Sequence, residues 1–250
     1  MARPGRITAP AMLPDGALAG ASRRERAMMD GLPAAQDPHE CFDIVTADGQ
    51  RTGLVKPRAQ IHRDGDWHRA LHVWIAGRDA GGGPFLMFQR RSAAKDTWPN
   101  RYDATVGGHY RAGESLAQTL REIEEEIGIA PDPHRLRPLG VRICANEAEP
   151  GTIDRELQDL FLLVDDRPLA AYRPNPAELS ALARFPLEQL IPFLAGERTE
   201  VTGESIAPGA TAAKPITARA EHFIPTVDRY NLRVAIAAWN VLRGDQYVAV

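Results

Sequence analysis

The stretch Gly107–Ile129, GGHYRAGESLAQTLREIEEEIGI, decides how this chain is read. At about 100° per residue, Leu116, Leu120, Ile123 and Ile127 fall on one narrow stripe, so the spacing predicts a helix over 116–127 packed against a sheet. Ser115 and Gln118 read as a capping box at its start. Glu122, Glu125 and Glu126 then share an arc of about 100° away from that stripe, while Glu124 points elsewhere. Like charges three and four residues apart oppose a helix by about 0.2–0.5 kcal/mol per pair, and the macrodipole disfavours anions near a helix C-terminus. Two readings follow: a solvated acidic face relieved by Arg121, or an oxygen-rich site for a hard cation. Mg2+ takes carboxylates together with water and substrate phosphates, which suits such a cluster. The loop Gly107–Gly113 would add backbone carbonyls to it.

The stretch resembles the signature of the Nudix hydrolases, G-x5-E-x7-R-E-U-x-E-E-x-G-U with U aliphatic. Gly108 and Glu114 fit its first part; Arg121, Glu122, Ile123, Glu125, Glu126, Gly128 and Ile129 fit its second. There is one departure, in that six residues rather than seven separate Glu114 from Arg121. A helix starting at Ser115 then leaves Glu114 rotated by about 100° from its usual place relative to the acidic group. The similarity runs from about residue 40 to 195, through DIVTADGQRTGLVKPRAQIHRDGDWHRALHVWI, QRRSAAKDTWPNRYDATVGGHYRAGE, RELQDLFLLV and PNPAELSAL. It points to the branch that holds the isopentenyl-diphosphate isomerases.

The resemblance implies an α+β fold, the Nudix α/β/α sandwich with a mixed β-sheet. It also implies a Mg2+-dependent hydrolase, with Mn2+ as a substitute, that cleaves a phosphoanhydride in a nucleoside diphosphate-linked or other organic diphosphate. Glu122 and Glu126 would be the first metal ligands, with Glu125 a ligand or the group that handles the proton of water. The Gly108 carbonyl would complete the sphere, and Arg121 would hold the carboxylates in register. The isomerases carry a catalytic cysteine just before the glycine-histidine of this loop, whereas Asp103–His109 contains no thiol, which argues against isomerisation. The alternative is a Nudix-fold sensor that binds a nucleotide or diphosphate without cleaving it.

Outside the helix, Arg90 and Arg91 are adjacent on a predicted strand, so one of them at most faces a phosphate. Glu178, after Pro174-Asn175-Pro176, falls about where many relatives place a further carboxylate. His109 beside the glycine loop is the histidine expected to meet substrate; His68 and His72 read as structural. Trp98 reads as a core residue, with stacking on a substrate base as the alternative, and Cys41 and Cys144 read as small buried residues.

The rest of the chain divides into a flexible tail over 1–38, the domain over 39–200, and a linker with a C-terminal helical extension over 201–250. Short apolar runs separated by turns give strands, Asp48-Gly49 marks a hairpin, and PLEQLIPFL gives a short helix. Residues 203–219 read as an irregular connection. Val227, Tyr230, Val234, Ala237 and Val241 keep helical spacing up to Gly244, and this helix reads as packing on the domain, with lining of the pocket or of a homodimer interface as the alternatives. The 250 residues are 44% hydrophobic and 25% charged with a net charge of −3, which supports a packed core and gives no general attraction to nucleic acid or anionic membrane. Cys41 and Cys144 fit no zinc or redox spacing. The partner expected is a small-molecule diphosphate, and the location expected is the cytoplasm.

Overall fold

The run RALHVWIAG, buried without a break from Val73 to Gly77, sits in strand β3, Trp67–Arg78, the centre of the structure. The computed structural model describes residues 39–250 other than 96, 150 and 151, so the tail expected over 1–38 lies outside the described residues. Ahead of β3, β1 (Cys41–Val45) and β2 (Arg51–Pro57) form the antiparallel hairpin that Asp48-Gly49 predicts, with Gly49 at φ 89°, and α1 (Arg58–Asp64) follows. β3 turns into β4 (Pro84–Arg91) through Asp79–Gly83, where Asp79 Oδ1 accepts from the backbone N–H of Gly81 and Gly83, each at 2.9 Å.

Short strands β5 (Tyr102–Asp103) and β6 (Val106–His109) lead into α2 (Leu116–Thr119) and α3 (Arg121–Ile127). Then come β7 (Leu136–Glu149), β8 (Thr152–Val164), β9 (Leu179–Pro186), α4 (Leu187–Leu194), β10 (Glu200–Ile206), β11 (Lys214–Arg219) and α5 (Tyr230–Leu242). The nine-stranded sheet has the order β11-β10-β9-β4-β3-β8-β7, with β5 beside β4 and β6 beside β3. β3 and β8 run parallel, which makes the sheet mixed.

Because successive side chains on a strand point to opposite faces, β3 feeds two cores. Leu71, Val73 and Ile75 pack in one with Ile123 and Ile127 of α3. Trp74 and Ala76 pack in the other with Leu187 and Leu190 of α4 and Val234, Ala235 and Ala238 of α5. Helices therefore cover both faces, giving the expected α/β/α sandwich. On the Trp74 face the first half of β3 carries His68, Ala70 and His72 instead of large apolar residues, and the functional cavity opens there.

Three expectations need correction. Residues 203–219 are not irregular: β10 pairs with β9 and with β11 in register from Glu200↔Arg219 to Ser205↔Lys214. β11 is the edge strand, where Pro215 can sit without an N–H to donate. The helix over 116–127 is interrupted at Leu120, so Thr119 is buried and Leu116 is exposed rather than part of the buried stripe. Finally, Val227 precedes α5 and is fully exposed.

Candidate active site

The acidic cluster forms where β6 meets α3. Gly108 pairs opposite Leu71 of β3, and a Cβ built on it would lie 2.5 Å from Glu122 Cγ. Only a glycine lets this strand and that carboxylate approach so closely. The Gly107 N–H and Gln89 Nε2 both donate to Glu126, the latter at 3.3 Å to Oε2. Glu178 comes in from the segment before β9, ion-paired with Lys95, whose charge also acts on Glu126. Burial raises Glu122 to about 7; Arg121 opposes that shift and Glu125 adds to it. Burial also raises Glu126 well above the usual carboxylate range; Lys95 opposes, while Glu122 and Glu178 push the same way.

Arg121 gathers this group: its guanidinium lies 2.9 Å from Glu122, 3.5 Å from Glu114 and 3.6 Å from Glu125. The short spacing before Arg121 is taken up at Leu120. There the Ile123 N–H bonds back three residues to the Leu120 carbonyl at 3.2 Å, a 3₁₀-type turn that tightens the helix locally. Glu114 Oε2 accepts from the Arg111 N–H at 2.9 Å and from Thr119 Oγ1 at 3.3 Å, which leaves its other oxygen toward Arg121.

These residues fit a hard divalent cation. Glu126 is 3% exposed, close to two further carboxylates, and Gln89 Oε1 is buried with no hydrogen-bond partner among the described residues. Buried like charges of this kind require a cation or protonation.

A second donor set lies beside the first. Ligand atoms of His62, His68 and His109, and likewise of His68, Asp154 and Glu156, fall within 4.8 Å of one another. His109 Nδ1 faces Arg58 Nη1 at 3.1 Å and its Nε2 faces Glu156 at 2.8 Å. A guanidinium has no acceptor, so Nδ1 accepts and the ring proton sits on Nε2, donated to Glu156. Burial, aided by Arg58, lowers His109 to about 3, so the ring is neutral and this contact is a hydrogen bond rather than an ion pair. Burial alone would raise Glu156, yet the His109 hydrogen bond and the histidines beside it hold it below the usual range. Mixed imidazole and carboxylate donors suit a first-row transition metal or zinc, for which the neutral imidazole is the ligating form.

Sequence reasoning missed His62, Asp154 and Glu156 and read His68 as structural. The available signal was period two: Asp154 and Glu156 share a face of β8, and His68 pairs opposite Glu156.

The two sets open into one cavity of about 840 Å3. Arg91 lines it, held by Thr97 and Asp103, whereas Arg90 donates to the Asn100 carbonyl and does not line it. Trp98 lines the cavity with φ 49° and is not a core residue, and Cys41 is exposed at the same cavity rather than buried. Cys144 is buried as expected, and that burial raises its thiol to about 12. Ile224–Asn231, just before and at the start of α5, forms part of the wall. Among the described residues, no helix is long and apolar enough to cross a membrane.

The family model for the NUDIX domain matches residues 66–204. The chain is 37% identical over 162 residues to Nudix hydrolase 3 of Arabidopsis thaliana, a match covering 63% of this chain but only 21% of that protein. It is 34% identical over 156 residues to an uncharacterized Nudix hydrolase of Clostridium acetobutylicum, covering 62% of this chain and 74% of that one. Isopentenyl-diphosphate Delta-isomerase of Clavibacter sepedonicus is 30% identical over 161 residues, covering 62% and 78%. With its core matched by the family model and both hydrolases and isomerases among its relatives, the chain belongs to the Nudix family, on the branch that includes isopentenyl-diphosphate isomerases.

Proposed function

We propose that this protein hydrolyses the phosphoanhydride bond of an organic diphosphate in a Mg2+-dependent reaction, with Mn2+ able to substitute. The observation that carries this reading is the convergence of Glu122, Glu126 and Glu178 around buried, underneutralised oxygen. Glu122 and Glu126 would hold the metal, with Glu125 and the Gly108 carbonyl at its margin. When bound, Mg2+ supplies charge neutralisation of the diphosphate and a lowered pKa for coordinated water.

The chain's own groups do the rest. Arg121 fixes the carboxylates, and Glu114 braces Arg121. Lys95 and Arg91 offer cationic donors to phosphate oxygens, the guanidinium fork being suited to two of them at once. Glu125, half exposed and 3.6 Å from Arg121, would take the proton of the attacking water. His109 is neutral and engaged with Arg58 and Glu156, so it belongs to the histidine set rather than to the phosphate clamp.

The tight turn at Leu120 supports hydrolysis over the sensor reading, since it keeps Glu114 on Arg121 despite the shortened spacing. Isomerisation lacks its thiol at the glycine loop. The test is phosphate release from nucleoside diphosphate sugars, dinucleotides, nucleoside triphosphates and prenyl diphosphates with Mg2+, Mn2+ or EDTA. Turnover is expected with either ion and not with EDTA. Activity that survives both EDTA and Glu126→Gln would reject this mechanism.

A further inference from the structure

The matched family region ends at residue 204, yet the cavity does not end there, because Ile224–Asn231 closes one of its sides. Register places that side. His109 pairs with Ala70, Ala70 with Gln158, and Gln158 with Arg142, so one row crosses β6, β3, β8 and β7. Three spacings of about 4.8 Å put Arg142 roughly 14 Å from β6, the strand beside which the acidic cluster of α3 lies. A diphosphate held at Glu122 and Glu126 does not fill such a distance, so whatever it is attached to must extend toward β7.

That far side is built from paired and stacked side chains. Arg142 binds Asp228 through both ends of its guanidinium, at 2.8 and 3.1 Å, and lies 4.2 Å over the Tyr230 ring. The Tyr230 hydroxyl accepts from Trp74 Nε1 at 2.8 Å and meets His72 Nδ1 at 3.1 Å. Between these anchors Arg229 is held at φ 54°, a conformation that side chains larger than glycine disfavour and that needs external support. Arg142 is thus neutralised by Asp228 and the tyrosine hydroxyl is engaged. Toward the cavity the segment presents Ile224, Pro225 and the fully exposed Val227, beside the polar Thr226 and Asn231 and the paired Asp228.

We infer that Ile224–Asn231 is the specificity wall of the site. It receives the uncharged, partly apolar organic group of the substrate through Pro225 and Val227, and Tyr230 positions it. A polyphosphate would meet Arg142 there only after parting it from Asp228. This inference rests on the proposed function for the phosphate end alone.

The test compares Kd values, with Mg2+ present, for methylenediphosphonate, for α,β-methylene-ADP and for a pentyl ester of methylenediphosphonate. In the native protein at least one organic probe should bind about tenfold or more tighter than the bare one, the gain that covering one apolar side chain supplies. Val227→Asp should bring that ratio toward one, and Val227 is fully exposed, so the fold is not at risk. Tyr230→Phe, which keeps the ring and removes the hydroxyl, should lower the ratio part of the way. Equal binding of all three probes by the native protein, or a ratio unchanged in Val227→Asp, would overturn the wall. Methylenediphosphonate binding that is equally tight in EDTA would instead overturn the acidic-cluster reading, leaving the ratio as a separate result.

Discussion

Glu126 and Glu122 show how much of this site depends on single side chains. Glu126→Gln keeps the shape and removes the charge that a metal requires, so turnover should fall by on the order of 100-fold or more with little change in fold. Steady-state kinetics beside circular dichroism would check this. Glu122 is raised to about 7 in the folded chain from an ordinary value of 4.5. A raised carboxyl contributes stability that is complete below pH 4.5 and lost as pH climbs through 7, because the folded state then holds an unwanted buried charge. Without metal, melting temperature should therefore decline from pH 5 to pH 8. Glu122→Gln should flatten that decline and melt a few degrees higher than the native protein at pH 8 in EDTA. The cysteines differ in the same environmental way. Cys41 is exposed and Cys144 is buried with its thiol raised to about 12, so at pH 8 a thiol reagent should label Cys41 rapidly and Cys144 only after unfolding.

At the scale of elements, α5 is as much a part of the domain as α3. Val234, Ala235 and Ala238 are fully buried against β3, β4 and α4, so this helix completes the second core. Val234→Ala should cost about 2 kcal/mol, from two buried methyl groups and the cavity they leave, as read by urea unfolding. Ending the chain at residue 226 should abolish cooperative unfolding altogether. The join between α2 and α3 shows a different kind of control. A residue missing from the family spacing would turn Glu114 away in a regular helix, but a turn of tighter pitch at Leu120 brings it back to Arg121. Helical periodicity assumes one pitch throughout, which is why it misplaced Leu116.

For the whole molecule, two donor sets in one cavity predict two kinds of metal response. Saturating Mg2+ should raise the melting temperature in the native protein and not in Glu126→Gln, since a ligand stabilises the state that binds it. Zinc or manganese retained by the purified chain should be lost in His68→Ala, as measured by elemental analysis, because His68 belongs to both histidine groupings.

The sequence by itself determined the strands and the acidic helix, because these are local matters of spacing, whereas the sandwich and the roles of Glu122, Glu125, Glu126 and Arg121 are what the family resemblance implies. Period two marks strands, a near-100° step marks the helix, and the motif residues lie within one continuous stretch. It also marked α5 through its apolar repeat. The hairpin of β10 and β11 escaped notice because GESIAPGATAAKPITAR has little alternation of its own and is held by pairing with β9, a partner remote in the chain. The histidine set escaped for the same reason: His62, His68, His109, Asp154 and Glu156 come from four elements and meet only when β6 and β8 flank β3. Which residues face a cavity, and which charges neutralise one another there, depends on contacts between segments far apart in the chain, and only the tertiary structure decides them.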